Sequence, residues 1–403
     1  MLIDTLSAVA PVPNDAILES GLLFKADERP EKLNLGVGVY LNEEGRLPLL
    51  RSVAEAEKRM LERRSTHGYC PIPGLPEYVD AVRRLVFGEE LLAELGSRIA
   101  SVQALGGTGA LHVASEFARE VLDIDHGHVP YPSWGNHRII LGHVGIEVGT
   151  YAYYDAAAKR LVPDAMIDSL RRLPPQSLVV IHGCCHNPTG LDPEEADVKR
   201  LIDVIGERDH MPLIDMAYQG FGDDAETDAS LARAFFRADI PVMLATSNSK
   251  NFSLYGERVG SLHVLAPDRD SMPRIRSKLA GGIIRREHSN SPRHGAAIVA
   301  EVLGDEALRK DWEAETAEMR GRVGTMRRAL VDEGRRLGVD FSDVLAQKGI
   351  FFNTGRTPAQ MQRLREKWAV YGVSNGRICM AGLNHGNVAR VAQALADVWE
   401  YQI

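Results

Sequence analysis

Ala245-Thr246-Ser247-Asn248-Ser249-Lys250-Asn251-Phe252 closes an apolar run, Pro241-Val242-Met243-Leu244, with small polar residues and one lysine. A strand this apolar is buried on both faces of a parallel sheet, so its C-terminal end delivers Lys250 to a crevice rather than to open solvent. Desolvation there lowers the proton affinity of the amine. A neutral amine adds to a carbonyl and forms a Schiff base. The same stretch also reads as a lysine that caps a strand and snorkels to water. The rest of the chain separates the two.

The chain has 403 residues, 47 Lys and Arg against 55 Asp and Glu, a net charge of −8 and 44% hydrophobic residues. That is the composition of a globular protein long enough for a large core and a second domain. The charges are interspersed, and no basic block with interleaved aromatics marks a nucleic-acid surface, so small-molecule chemistry is expected. Met1-Leu2-Ile3-Asp4 lacks a basic region leading into an apolar core, and no apolar run approaches the roughly 20 residues of a membrane span. The expected location is cytoplasmic, with no membrane partner. Cys70, Cys184, Cys185 and Cys379 show no Cys-x-x-Cys spacing and read as reduced core residues, neither disulfides nor metal ligands.

Outward from the lysine, the same pattern repeats: an apolar strand that runs out into polar residues. Ile99 to Leu105 leads into Gly106-Gly107-Thr108-Gly109-Ala110-Leu111 and then an apolar helical face of Leu111, Val113, Ala114, Phe117 and Val121. Strand, glycine turn and helix N-terminus make an anion site, because free backbone N–H groups and the helix dipole point at one spot. His112 stands where a dinucleotide fingerprint would need its third glycine. Ser177 to Cys185 runs out into His186-Asn187-Pro188-Thr189-Gly190, and Asp192-Pro193-Glu194-Glu195 is expected to cap the next helix reciprocally. Met211 to Ile214 ends in Asp215-Met216-Ala217-Tyr218, where an aspartate is costly to bury unless something positive or hydrogen-bonding meets it. Alternation of strands and helices from about residue 99 to 262 predicts an α/β fold with parallel crossovers. Gly107, Thr108, Asn187, Asp215, Tyr218 and Lys250 then meet at one sheet edge, where such folds bind ligands.

Elsewhere, residues from about 14 to 26 and 52 to 63 read as helices, and Leu33 to Tyr40 as a short strand broken by Gly36 and Gly38. Gly68 to Gly74 is too rich in Gly and Pro for either element. Trp134 sits in a turn, as readily core as cofactor platform. Leu308, Trp312, Met319, Val323, Met326 and Leu330 predict one long amphipathic helix over about 305 to 337, and Gly349 to Asn353, Arg377 to Met380 and a final helix from Asn387 complete a smaller α/β unit.

Pyridoxal phosphate needs a lysine for its aldehyde, an anion site for its phosphate, an acid for its ring nitrogen and a flat neighbour for its ring. Lys250, Gly107 and Thr108 with Arg258, Asp215 and Trp134 supply one of each. At these residues the sequence resembles the aspartate and aromatic (tyrosine) aminotransferases of class I, fold-type I enzymes that use pyridoxal phosphate. The resemblance runs almost end to end through Asn34-Leu35-Gly36-Val37-Gly38-Val39-Tyr40, the Gly106 to Leu111 turn, His186-Asn187-Pro188-Thr189-Gly190, Asp215 to Phe221, Ser249 to Gly260 and Gly376-Arg377-Ile378.

The resemblance implies a large cofactor-binding domain over 46–305, with a mostly parallel sheet flanked by helices. A smaller α/β domain would be built from both chain ends, 1–45 and 306–403. It implies that Lys250 holds the cofactor and shuttles the proton, that Asp215 pairs with the ring nitrogen, and that Tyr218 and Asn187 reach the ring hydroxyl while Trp134 stacks. Gly107, Thr108, Ser247 and Arg258 would hold the phosphate, with Tyr69 coming from the second subunit of a homodimer with shared active sites. His137 and His182 would back the aspartate. Arg377, with Gly38 near it, would grip the substrate α-carboxylate, and Arg285 of the partner subunit its distal carboxylate. The implied reaction moves an amino group between aspartate or an aromatic amino acid and 2-oxoglutarate in ping-pong fashion. A lyase, a decarboxylase or a specialised biosynthetic aminotransferase on the same fold is the alternative, and a non-enzymatic pyridoxal-binding regulator would want a DNA-binding domain for which residues 1–40 leave no room. Two positions depart from the family: Gly135 follows Trp134 where Ser-Trp-Pro-Asn-His is common, and His288-Ser289-Asn290-Ser291-Pro292 stands for Tyr-Ser-Asn-Pro-Pro.

Overall fold

The computed structural model describes residues 2–10, 16–64 and 66–399. Its centre is a seven-stranded sheet made of β1 (Ile99–Leu105), β2 (His126–Tyr131), β3 (Glu147–Ala152), β4 (Leu178–His182), β5 (Met211–Met216), β6 (Met243–Ser247) and β7 (Val259–Leu265). The spatial order is β1-β7-β6-β5-β4-β2-β3. Strands β4, β5, β6 and β7 are buried along their whole length, as expected for a sheet covered on both faces. The pairs from β3 through β6 are parallel. Strand β7 departs from the expected parallel crossovers and runs antiparallel to both β6 and β1. Only residues 248–258 join β6 to β7, and a parallel crossover takes about a dozen residues or more.

Register fixes the site. His182 lies opposite Asp215, and Asp215 opposite Ala245, so the ends of β4, β5 and β6 finish side by side. The first helix behind β1, α1 (Gly106–Val121), starts at the glycine turn and packs on β6 and β7. Helix α2 (Glu195–Glu207) starts later than the expected cap, because Asp192 uses its carboxylate to accept from the backbone N–H of Cys185 (2.7 Å) and His186 (2.9 Å). Asp192 therefore ties down the loop after β4 instead.

The long helix is α3 (Glu306–Arg336), N-capped by Asp305, which accepts from Leu308 N–H at 3.0 Å. The stretch Leu33 to Tyr40 forms a strand only at Leu33–Asn34, because its partner, Val370–Tyr371, offers two residues of ladder. That parallel pair joins the N-terminal segment to the C-terminal region. The expected helix over 14–26 is observed from Ala16 to Ala26, and residues 14 and 15 lie outside the described residues. Strands β8 (Phe351–Asn353) and β9 (Arg377–Cys379) form an antiparallel pair beside α3, and the last helix, α4 (Val388–Trp399), packs on α3. All four cysteines are free and buried.

Candidate active site

Lys250 sits on a turn that is pinned from behind. Trp312 of α3 donates its indole N–H to Asn251 O at 2.7 Å, and its ring stacks on Phe252 with centroids 4.8 Å apart. Asn251 Nδ2 donates to Gln219 O at 3.2 Å. The turn thus aims Lys250 back over the sheet edge, where Nζ lies 4.6 Å from the centre of the Tyr218 ring. Burial lowers the proton affinity of the amine; Asp215 opposes that, Arg258 and Arg377 add to it, and the result is a pKa of about 8. The snorkelling alternative does not describe this geometry, since the half-buried Lys250 lines the cavity and holds Nζ against the Tyr218 ring.

Asp215 is buried at the floor of the same cavity. Burial pushes its carboxyl up, but the hydrogen bond to His137 Nε2 (2.9 Å) and the nearby positive charge of Lys250 outweigh it and hold the group below the ordinary carboxylate value. Ser133 Oγ meets His137 Nδ1 at 2.9 Å and fixes that ring. His182 lies beside it, with ring centroids 5.1 Å apart, and burial keeps it neutral. Neither ring nitrogen of His182 has a hydrogen-bond partner among the described residues. An orphaned ring lining a cavity is what remains when the group it serves is a ligand.

The anion cradle forms where β1, β6 and β7 meet. Gly106 has φ +67, and a Cβ there would lie 2.6 Å from an Arg258 guanidinium nitrogen; at Gly107 it would lie 3.1 Å from Ser247 Cβ. Glycine is what lets Arg258 and Ser247 close on the start of α1. Arg258 Nη1 donates to Tyr255 O (3.1 Å), and Ser247 Oγ bonds Ser249 Oγ (3.2 Å).

Arg377 closes the opposite wall. It is buried, with Nη1 donating to Asn187 Oδ1 (3.0 Å) and Nη2 to Gly36 O (2.7 Å). Gly38 faces Phe351 so closely that a Cβ would come within 2.6 Å of the ring.

One cavity of about 210 Å³ is lined by Gly38, Gly107, Thr108, Trp134, Asn187, Asp215, Tyr218, Ser247, Lys250, Arg258 and Arg377. Two of the expected residues lie elsewhere: Tyr69 is 92% exposed and Arg285 is exposed on the short helix Arg285–Glu287. Ser249, Tyr255 and Phe351 also line the cavity and escaped the sequence reading. Ser249 and Tyr255 stand within the Ser249–Gly260 stretch, but nothing in residue type separated them from turn and core.

A lysine of lowered proton affinity, a carboxylate held charged and an anion cradle, gathered at one edge of an α/β sheet, define an enzyme that works through a phosphorylated aldehyde. The family model for aminotransferase class I and II matches residues 30–395. The chain is 43% identical over 394 residues to an aspartate aminotransferase of Pseudomonas aeruginosa, covering 97% of this chain and 99% of that one. It is 42% identical over 389 residues to an aromatic-amino-acid aminotransferase of Escherichia coli, covering 95% and 97%. The crystal structure of a Burkholderia pseudomallei aromatic-amino-acid aminotransferase covalently bound to pyridoxal phosphate superposes with a TM-score of 0.93 at 44% identity, covering 97% of this chain and 98% of that one. The chain therefore belongs to the aminotransferase class I and II family. It is a pyridoxal-phosphate-dependent aminotransferase, and the cavity, the cradle and the orphaned His182 fit that cofactor.

Proposed function

We propose that the enzyme moves an amino group between aspartate or an aromatic amino acid and 2-oxoglutarate, in the cytoplasm, as a homodimer with shared active sites. The names of the relatives support these substrates, and the observation that carries the residue roles is the meeting of Lys250, Asp215 and Arg377 in one cavity.

When bound, pyridoxal phosphate supplies an electron sink for the carbanion formed at the substrate α-carbon. Lys250 would hold the cofactor aldehyde, and once the substrate's amino group takes its place there the freed Nζ would move the α-proton, a task suited to an amine whose pKa is about 8. Asp215, kept charged by its hydrogen bond to His137, would hold a proton on the cofactor's ring nitrogen. Tyr218 and Asn187 would hydrogen-bond the ring hydroxyl, and Trp134 would supply a flat neighbour for the ring. Gly107, Thr108, Ser247 and Arg258 hold the phosphate together with Tyr69 of the partner subunit.

Arg377 offers its fork to the α-carboxylate, where two parallel charge-assisted bonds fix the substrate. Gly38 lines the same cavity. Arg285 of the partner subunit meets the distal carboxylate of aspartate. Residues 1–45 and 306–403 form the smaller domain and 46–305 the larger one.

An amino-acid panel assayed with 2-oxoglutarate for glutamate formation tests the substrate assignment. Aspartate and the aromatic amino acids should lead the panel. Glutamate formed from neither would overturn it.

A further inference from the structure

We infer that Phe351 is a positioning residue for the substrate carboxylate: its ring forms the seat on which the Arg377 guanidinium lies. The inference rests on the assignment of Arg377 to the α-carboxylate.

Register makes the contact. In the antiparallel pair of β8 and β9, Phe351 lies opposite Cys379 and Asn353 opposite Arg377, so Phe351 and Arg377 are diagonal neighbours on one face. Diagonal pairs are within reach of an aromatic ring and a long side chain. The Arg377 guanidinium carbon stands 4.0 Å from the Phe351 ring centroid, well inside cation–π range.

The cation sits over the face of the ring while Nη1 and Nη2 donate to Asn187 and Gly36. The ring itself is held on two more sides. The Tyr218 ring meets it edge-on with centroids 5.7 Å apart, and Gly38 abuts its Cζ. Phe351 is buried, and it also excludes water from one side of the cation, which strengthens a charge–carboxylate contact. Without the ring, Arg377 keeps its charge but loses the surface that fixes the tilt of its fork. The cost falls on every substrate alike, because every amino acid and oxo acid brings the same carboxylate.

The test is steady-state kinetics of the holoenzyme. Phe351→Leu should raise KM for aspartate, phenylalanine and 2-oxoglutarate together, by about 3- to 30-fold, the range cation–π contacts span from exposed to desolvated sites. The cofactor absorbance should stay unchanged and kcat should stay within roughly threefold, since only binding common to ground and transition state is lost. Phe351→Met, which also removes the ring, should behave the same and serves if the leucine variant folds poorly. In an Arg377→Lys background, where no guanidinium plane remains, Phe351→Leu should add little. If Arg377→Lys itself leaves KM unchanged, the carboxylate assignment is what fails. If Arg377→Lys raises KM but both Phe351 variants keep the native KM, or lose kcat with KM intact, the positioning role is overturned.

Discussion

Lys250 is held at a pKa of about 8 by burial, with Arg258 and Arg377 on the same side of the balance and Asp215 against them. The sign of the consequence follows from protonation. Only the neutral amine attacks an aldehyde, and its share grows with pH until the pKa is passed. At pH 7 about a tenth of the Lys250 amine would be neutral, against less than a thousandth of an ordinary lysine. Uptake of pyridoxal phosphate by the apoprotein should therefore quicken as pH rises and level off just above 8. A rate still climbing towards pH 10 would show that the environment does not shift this amine. Reduction with borohydride and peptide mapping should place the label on Lys250, and Lys250→Ala should abolish it. At this scale the sequence was informative where residue type alone implies chemistry, a lysine and an aspartate at strand ends, while Arg377 came only with the resemblance. It was silent on Phe351, because an aromatic in a strand reads as core until its register with Arg377 is known.

Two glycines show how an element's shape decides what a substitution does. Gly106 opens α1 with φ +67, and a methyl group there would strike the Arg258 guanidinium. Gly106→Ala should introduce roughly 1–2 kcal/mol of backbone strain and push Arg258 off the cradle, weakening cofactor retention about tenfold or more. Equilibrium dialysis of pyridoxal phosphate measures it, and native retention would mean the cradle does not need the glycine. Gly135 precedes the helix Asn136–His143 with φ −55 and ψ −30, and a Cβ there meets open space. The departure from the family at this position is thus not demanded by the local backbone. Gly135→Ala should stabilise the protein by about 0.4–1 kcal/mol, through the unfolded chain, and raise Tm without loss of activity. The elements themselves divide in the same way. The strands ending at Leu105, His182, Met216 and Ser247 were legible because burial on both faces leaves an apolar run with a polar end. Strands β2 and β3 were not, since His126 and His128 interrupt the apolar pattern of β2, and Glu147 and Thr150 that of the edge strand β3. The antiparallel course of β7 depends on loop length, and the strand order on contacts far apart in sequence.

One protomer gathers all but two of the expected site residues, and the two it leaves out are both exposed, Tyr69 and Arg285. Such a pair is intelligible if a second copy completes the cavity, which is how Arg285 would meet the distal carboxylate of aspartate. Its neighbours are poor substitutes. Arg286 is engaged by Glu116 and by Glu120, the latter at 2.9 Å. Burial, with the charge of His112, lowers the proton affinity of His288 against the pull of Glu287, so this ring is neutral at pH 7 and above. Among the described residues Arg285 has no ion pair, and it donates from Nη1 to Ser289 Oγ at 2.5 Å. Removing one member of a desolvated charge pair costs roughly 2–5 kcal/mol. Arg285→Leu should therefore cost aspartate about 30-fold to a few thousand-fold in kcat/KM, at about 1.4 kcal/mol per factor of ten. Phenylalanine brings no second charge and should lose far less, and the apolar replacement is compatible with its ring. The variant's steady-state kinetics with both substrates decide the matter. Equal losses would make Arg285 a structural residue, and the dicarboxylate half of the substrate assignment would have to be given up.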